Sequence, residues 1–262
     1  MIGIMCIRFA DASMVIFESR LSRSELARLA PMTIVDTPVA LRTAARWTSS
    51  DVAAMSSQFE GCHPGEVIRW AVDEFGSRLS VSASFADTLL IDLAVAVEPD
   101  IEVVFIDTGF HFAETLATVR RAMARYSLNL TVLRPAATAA DVWAHGSDTC
   151  CGSRKVAPLE RHLVANADAW MSGLRRDDSR QRADAPIVDL DLRGLVKINP
   201  LAGWSPGEIE RHMLEHDVLI NPLTFEGYPS IGCWPCTNPA DASDPRAGRW
   251  AGSNKTECGL HQ

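Results

Sequence analysis

Apolar and polar positions follow two different periods along this chain, and each change of period marks a predicted element. The segment Glu102–Ile106 is a short apolar run typical of a buried strand, whereas Ala113–Tyr126 repeats its apolar positions at helical spacing. Units of this strand–helix–strand kind predict parallel pairing and a layered α/β sheet with flanking helices. The predicted strands are 79–84, 102–106, 128–133, 169–172 and 195–198, and the predicted helices are 51–59, 64–75, 87–97, 113–126 and 206–216.

The same pattern divides the chain into three parts. Residues 1–46 carry no motif and are interpreted as an N-terminal extension of unknown role. Residues 47–236 hold the periodic segments and form the predicted α/β domain. After Asn221 the sequence is rich in Gly, Pro, Asp and Asn, so residues 237–262 are predicted to be a loop-rich, mobile C-terminal tail.

Composition and charge narrow the class of protein. The chain has 262 residues, 47% hydrophobic and 22% charged, which is ordinary for a globular protein. No apolar run reaches the roughly 20 residues that a membrane span requires. Arg8 and Asp11 interrupt the apolar N-terminal segment, so we do not expect a secretory signal. We therefore expect a cytoplasmic protein. The net charge of −8 disfavours a general nucleic-acid binder, so neither nucleic acid nor membrane is an expected partner.

Seven cysteines are the most informative feature of the composition. In a reducing compartment an odd number favours metal binding or a reactive thiol over disulfides. The pairs Cys150-Cys151 and Cys233-Cys236, 81 residues apart, offer four thiolates that fit either structural zinc or a [4Fe–4S] cluster. Adjacent cysteines are unusual zinc ligands, and a third possibility is that these are buried thiols used as small apolar groups.

Cys258 stands apart from these pairs. It follows Cys236 after 21 intervening residues and lies near the end of the printed sequence, where chains are mobile unless they are tied down. Mobility suits a thiol that must meet two partners in turn, and Lys255 and His261 would favour its nucleophilic thiolate form. The alternative is an incidental cysteine in a frayed tail.

Candidate anion-binding residues lie where the predicted strands end. In open α/β sheets, ligands bind beyond the carboxyl ends of the strands, which here are followed by 82–87, 107–111 and 173–182. The first joins a strand to a helix and could hold phosphate at the helix N-terminus, although it lacks the glycines of a phosphate loop. The third contains four arginines, which could equally form a solvated charged loop. Arg246 and Arg249 lie between the cysteine pairs and Cys258.

In combination these segments resemble the sulfonucleotide reductases, and most closely the actinobacterial reductases of adenosine 5′-phosphosulfate (APS). The resemblance covers about residues 47–262, and the paired cysteines are its most specific part because they accompany the cluster-containing, APS-using branch. The matching stretches are SFADTLLIDLA, VVFIDTGFHFAET, CCGSRKVAPL, GLRRDDSRQRADAP, LVKINPLAGW, NPLTFEGYPSIGCWPC, DPRAGRW and KTECGLH.

The resemblance implies a role for each matching residue. Cys258 would be the catalytic nucleophile, which attacks the sulfur of APS, expels AMP and becomes S-sulfocysteine. Lys155 would lie between a [4Fe–4S] cluster and the substrate. The cluster ligands would be Cys150, Cys151, Cys233 and Cys236. The substrate-binding residues would be Ser82, Ser84, Phe85, Ala86, Asp87, Ile106, Asp107, Thr108, Lys155, Gly173, Arg175, Arg182, Arg246, Arg249 and His261.

The resemblance also implies an adenine-nucleotide α-hydrolase-like (PP-loop) fold and a redox partner. Thioredoxin would supply the electrons by attacking the Cys258 sulfur and releasing sulfite. One alternative is a reductase of the 3′-phosphorylated nucleotide. Another is an adenylyl transferase or tRNA sulfur-transfer enzyme of related fold, for which Ser84 to Asp87 is a poor match to the SGGxDS loop. A third is a zinc-stabilised nucleotide-binding module without catalysis, in which Cys258 would be dispensable.

Overall fold

The fold was examined in a computed structural model. The predicted extension 1–46 and the predicted site residue His261 lie outside the residues that it describes. No helix in the described part of the chain has both the length and the apolar character that crossing a bilayer requires. The described residues are 47–136, 146–241, 243–253 and 255–260.

A sheet of six strands forms the centre of the described fold, in the order β3-β2-β1-β4-β6-β5. Five strands are parallel, and only the edge strand β5 runs antiparallel, against β6. The predicted mostly parallel α/β architecture is therefore confirmed. The strands are β1 (Leu79–Ala83), β2 (Glu102–Ile106), β3 (Asn129–Leu133), β4 (Ala169–Ser172), β5 (Val188–Leu190) and β6 (Val196–Ile198).

Strand β2 shows why a central strand can consist of a nearly continuous run of apolar residues. Side chains alternate between the two faces of a strand, and here each face meets its own core. Val103 and Phe105 join the larger apolar cluster, while Val104 and Ile106 join a second cluster with residues of the sixth helix. From Val103 to Ile106 both faces of the strand are covered and every residue is apolar, while the charged residue Glu102 lies at its amino end.

Three of the described helices begin at side-chain caps that the sequence contains. Ser205 and Glu208 form the predicted capping box of the last helix. The first helix begins earlier than predicted, because Thr48 rather than Ser50 makes the reciprocal hydrogen bonds with Asp51. The helices are α1 (Ser49–Phe59), α2 (Pro64–Phe75), α3 (Leu89–Val97), α4 (Ala113–Tyr126), α5 (Gly146–Cys151), α6 (Ala157–Asn166) and α7 (Pro206–Glu215).

Three elements were not predicted. Helices α5 and α6 are joined by a π-helical turn, Gly152–Val156, which interrupts the regular helical period. Strand β5 has only three residues, too few for an alternating pattern. Beyond α7 the described chain consists of loops and short 3-10 turns such as Pro222–Glu226 and Trp234–Cys236, in agreement with the predicted loop-rich end.

The strand order places a ligand crevice between β1 and β4. From β1 the chain proceeds outwards through β2 and β3, and it then returns to the other side of β1 to form β4 and β6. At such a topological switch point the connections leave in opposite directions and open a crevice beyond the carboxyl ends of the strands. Two of the predicted anion-binding segments, 82–87 and 173–182, therefore face each other.

Candidate active site

A cleft of about 250 Å³ opens at this switch point. It is lined from β1 and its loop, from the segment after β4, from the loops of the C-terminal part, and from Lys155 and Cys258. The predicted residues in its lining are Ser82, Ser84, Ala86, Asp87, Ile106, Lys155, Gly173, Arg175, Arg182, Arg246, Arg249 and Cys258. The fold thus brings together residues that are as much as 176 positions apart in the sequence.

The loop after β1 is held in an uncommon backbone conformation. Phe85 has a φ of +57°, in the left-handed region, and its side chain is fully buried, edge-on to Phe105. Asn221 stabilises the loop, because its main-chain N–H donates to Ala86 O at 3.0 Å and its Nδ2 donates to Phe85 O at 3.2 Å. Phe85, one of the predicted substrate-binding residues, therefore shapes the loop from the core while its neighbours line the cleft.

Arg182 is the most fully engaged cation of the cleft. Its Nε and Nη2 donate to the two carboxylate oxygens of Glu257 at 2.8 and 2.9 Å. Its Nη1 donates to Asp178 Oδ2 at 2.9 Å. Asp178 also accepts from Arg175 Nε at 3.0 Å. Two arginines and two carboxylates therefore form a continuous network along one wall.

Arg246 and Arg249 are less completely paired. Arg246 Nη2 lies 3.1 Å from Glu257 and donates to Thr256 O at 2.8 Å. Arg249 Nη1 donates to Ser230 Oγ at 3.2 Å, while its buried Nε has no hydrogen-bond partner among the described residues. Burial lowers the pKa of both guanidinium groups, and for Arg249 the neighbouring charge of Arg246 lowers it further. The two cations are held close together at a desolvated position, which favours binding of an anion.

The whole cleft carries an excess of positive charge. Its lining contains five cationic side chains and three carboxylates, which leaves a net charge of two positive. His111 also lies there, but burial lowers the pKa of its imidazole and favours the neutral form. A protein of net charge −8 thus presents a locally cationic cleft.

The four predicted ligand cysteines line a second, smaller pocket next to the cleft. Burial raises the pKa of Cys150, and the nearby Cys151 and Cys233 raise it further. Cys233 Sγ lies 3.2 Å from Thr108 Oγ1, and Thr108, a predicted substrate-binding residue, lines this pocket. The fold thus brings the two distant cysteine pairs to one place.

The spacing of the four thiols differs from that of a single-zinc site. A tetrahedral zinc with Zn–S bonds of 2.3 Å holds its sulfur atoms about 3.8 Å apart. Among the described residues, Asp92, His212 and His216 form the one group of three or more potential ligands whose ligand atoms all lie within 4.8 Å of one another. No three of the four cysteines meet this criterion. Any three of the cysteine sulfurs are therefore spread more widely than one zinc ion requires.

Lys155 connects the two pockets, since it lines both of them. It lies in the π-helical turn that follows Cys151. Arg154 anchors this turn, because its Nη1 donates to Thr108 O at 2.8 Å and its guanidinium lies over the Phe110 ring. The turn thus holds a cation between the cysteines and the cleft.

The described tail residues, 255–260, pack against the domain. Lys255 Nζ donates to Asp148 Oδ1 at 2.6 Å and to Ser147 O at 3.1 Å. Leu260 packs on the second apolar cluster. Between these anchors Cys258 is half-buried in the lining of the cleft. The conformation described is therefore one in which the tail thiol has entered the cleft.

The residues that line the cleft and the predicted site residues do not fully coincide. Asp107 is a predicted site residue outside the cleft lining, where it pairs with Arg134 at 3.2 Å. Conversely, Asp178, Gly232 and Glu257 line the cleft without having been predicted to contact substrate. Asp178 and Glu257 lie next to predicted arginine and cysteine motifs, but only the folded structure shows that both pair with Arg182.

Comparison with known proteins agrees with this geometry. Residues 77–239, more than half of the chain, match the model of the phosphoadenosine phosphosulfate reductase domain. The chain belongs to this family. Within the reductase family, a protein of Rhodococcus opacus named adenosine 5′-phosphosulfate reductase is 43% identical over 226 residues, covering 79% of this chain and 91% of that protein. A protein of Streptomyces coelicolor with the same name is 46% identical over 206 residues, covering 75% and 87%.

Solved structures support the same assignment of fold. Phosphoadenylyl-sulfate reductase from Candida auris superimposes with a TM-score of 0.66 and 26% identity, over 75% of this chain and all of that one. The FMN adenylyltransferase of Candida glabrata superimposes with a TM-score of 0.52 and 17% identity, over 74% of this chain and 68% of that one. The second likeness concerns the fold alone. Members of the reductase family thus share their sheet with nucleotide-binding enzymes of other activities.

Proposed function

We propose that this protein reduces adenosine 5′-phosphosulfate to sulfite and AMP. The observation that carries the proposal is the position of Cys258, in the lining of a cationic cleft at the switch point of a nucleotide-binding sheet. Relatives named for this activity support the choice of substrate. We place the reaction in the cytoplasm, where thiols remain reduced.

The cleft is suited to the phosphosulfate group by its charge. That group carries negative charge on both its phosphate and its sulfate, and the lining has an excess of two positive charges. Arg249 contributes a buried Nε that has no hydrogen-bond partner among the described residues, and Lys155 lines both the cleft and the neighbouring cysteine pocket. Cations placed at the position where charge develops on the leaving phosphate lower the barrier to its departure.

In the first step, the Cys258 thiolate attacks the sulfur of the substrate. A bond forms between Cys258 Sγ and that sulfur, while the bond from sulfur to the phosphate oxygen breaks. AMP leaves with the electron pair of the broken bond, and the enzyme retains an S-sulfocysteine. The guanidinium groups of Arg246 and Arg249 line the same cleft as Cys258.

In the second step, a dithiol protein supplies two electrons, and we propose thioredoxin for this role. One of its thiolates attacks Cys258 Sγ, and sulfite leaves with the bonding electron pair. The resulting mixed disulfide is resolved by the second thiol of the partner, which regenerates Cys258. The substrate sulfur is reduced and the partner dithiol is oxidised, so that the electrons balance.

We propose further that Cys150, Cys151, Cys233 and Cys236 hold a [4Fe–4S] cluster. Their shared pocket and the burial of Cys150, Cys151 and Cys233 support this assignment. When bound, the cluster supplies negative charge and four covalent anchors beside the cleft. Lys155 lines both pockets, so its ammonium group would lie between the negative charge of the cluster and that of the bound substrate.

The reaction is tested by incubating the protein with APS in the absence of reductant. We expect one sulfite adduct, located at Cys258 by peptide mass spectrometry, with release of one equivalent of AMP. Parallel incubation with the 3′-phosphorylated nucleotide measures substrate preference. A faster reaction with the 3′-phosphorylated nucleotide would contradict the proposed substrate, and absence of an adduct with either would contradict the mechanism.

The cofactor is tested separately by elemental analysis of anaerobically purified protein. We expect about four iron and four labile sulfide per chain. Stoichiometric zinc in place of iron would overturn the cluster assignment. Replacement of Cys233 by Ser provides the matched variant, since it should lose iron without removing the tail nucleophile.

A further inference from the structure

Glu257 joins the tail to the cationic wall of the cleft. Its two carboxylate oxygens accept from Nε and Nη2 of Arg182 at 2.8 and 2.9 Å, which is a bidentate pair. The same carboxylate lies 3.1 Å from Arg246 Nη2. Glu257 directly precedes Cys258, so a contact that fixes one residue also limits the position of the other.

These contacts give each of the three guanidinium nitrogens of Arg182 a carboxylate partner within the chain. Its Nε and Nη2 are bonded to Glu257, and its Nη1 is bonded to Asp178. The side chains of Arg182 and Glu257 are only 12% and 18% exposed, so this pair is better shielded from solvent than an ordinary surface ion pair. By contrast, the buried Arg249 Nε has no partner among the described residues.

On the basis of the proposed function, we infer that Glu257 is a positioning residue that docks the tail and aligns Cys258 with the substrate sulfur. Arg182 and Arg246 form its receptor, while Arg249 and Lys155 remain for the substrate anion. Because Cys258 must occupy the cleft to attack, the docked conformation described is compatible with the reacting one. Glu257 therefore contributes to the rate of sulfur transfer rather than to nucleotide affinity.

The other contacts of the described tail attach it to parts of the domain outside the arginine wall of the cleft. Lys255 and Leu260 attach the tail on either side, but they bind to α5 and to the second apolar cluster. Within the described tail, Glu257 makes the ion pairs that reach the arginines of the cleft wall. Loss of its charge should leave the tail attached to the domain but should widen the range of positions open to Cys258. Reactions of this kind depend steeply on such alignment.

The test compares Glu257→Gln with wild type in two measurements. The first is the dissociation constant of AMP, and the second is the single-turnover rate at which APS forms the Cys258 adduct. We expect the AMP constant to change less than about twofold and the adduct rate to fall at least tenfold. The exposed α7 residue Glu210 provides a matched control, since Glu210→Gln should change neither measurement.

Arg182→Ala and the double variant complete the test. If Glu257 acts through Arg182, both single variants slow adduct formation, and the loss in the double variant is smaller than the product of the two single losses, because Glu257 keeps its contact with Arg246 in Arg182→Ala. AMP affinity should persist in all three, which also shows that they are folded. An unchanged adduct rate in Glu257→Gln, multiplicative losses in the double variant, or loss of AMP affinity in Arg182→Ala would overturn the inference.

Failure of this inference can be distinguished from failure of the proposed function. If wild-type protein forms no adduct with APS, the proposed reaction itself is wrong. If wild type forms the adduct and Glu257→Gln forms it equally fast, the reaction stands and only the docking role of Glu257 is wrong. Tighter APS binding by Glu257→Gln with an unchanged rate would identify Glu257 as a competitor of the substrate and would likewise overturn the inference.

Discussion

Two charged clusters lie at opposite ends of the sheet. In one the charge is balanced by hydrogen bonds within the chain, and in the other positive side chains are in excess. At the amino end of β2, Glu102 accepts from Ser80 Oγ at 2.6 Å and from Thr131 Oγ1 at 2.7 Å, and lies 3.1 Å from His162 Nε2. Burial acts to raise its pKa, but the hydrogen bonds from His162, Ser80 and Thr131 outweigh burial and lower the pKa to about 2. This charge is satisfied by the fold itself.

At the carboxyl end of the same sheet, cations outnumber the carboxylates that could pair with them. The clearest case is Arg249, whose Nε is buried without a partner among the described residues. Leaving a buried donor unpaired is unfavourable unless a ligand completes it. The comparison separates a carboxylate whose charge is balanced within the chain from a cleft whose positive charge its own lining does not balance.

The largest expected effect follows from removing the nucleophile. Cys258→Ser should bind AMP with unchanged affinity but should lower turnover by at least about a thousandfold, because a hydroxyl cannot accept the sulfo group and be regenerated by thiol exchange. Intact-mass measurement after incubation with APS checks this expectation. A sulfite adduct on the Ser variant would show that the nucleophile lies elsewhere.

Removal of Arg249 should have the second-largest effect on turnover. Arg249→Ala should lower kcat/KM for APS by about a hundredfold, the usual effect of losing one preorganised contact to developing charge. Arg161→Ala, on the exposed face of α6, serves as the control and should have no effect. If both variants behaved like wild type in steady-state assays, the contrast between matched and unmatched charge would have no functional meaning.

Gly232 should have a smaller effect through the same arginine. A Cβ at this position would come within 2.6 Å of Arg249 Cζ, so the guanidinium must move to admit it. We expect Gly232→Ala to lower kcat/KM about tenfold, an order-of-magnitude expectation for a displaced contact. In the double variant with Arg249→Ala, no further loss should occur. Multiplicative losses would indicate that Gly232 acts on something other than Arg249.

The smallest effect on turnover is expected for Glu102, whose charge is balanced within the chain. Glu102→Gln should leave activity at neutral pH unchanged but should lower the free energy of unfolding. Because folding lowers the pKa of Glu102 from 4.5 to about 2, its charge contributes up to about 3 kcal/mol. That contribution is complete above about pH 4.5 and is lost as the pH falls towards 2.

The stability difference between wild type and Glu102→Gln in urea unfolding therefore provides the measurement. It should be largest near pH 7 and should shrink as the pH is lowered through 4. Comparing the two proteins at each pH cancels the effects of acid on the rest of the chain. A difference that stays constant with pH would show that the carboxylate is not held in its charged form by the fold.

Much of the fold could be predicted from sequence because its signals are local. The bounds of α2, β2, α4 and β4 agree with their apolar periods, and those of β1 and β3 differ by one residue. Helices α5 and α6 could not be predicted in this way, because the π-helical turn between them breaks the period. The position of β5 depends on pairing with β6, which no local pattern encodes.

For the candidate site, the sequence determined which residues are chemically able to act. Paired thiols, an isolated tail thiol and clustered arginines are properties of composition and spacing, and they were sufficient to indicate the family. Tertiary structure decided which of them meet. The convergence of the cysteine pairs, the position of Lys155 between two pockets and the engagement of Arg182 by Glu257 all join distant segments. Whether a charge is matched by the chain or left for a ligand depends on such distances, which only the folded chain fixes.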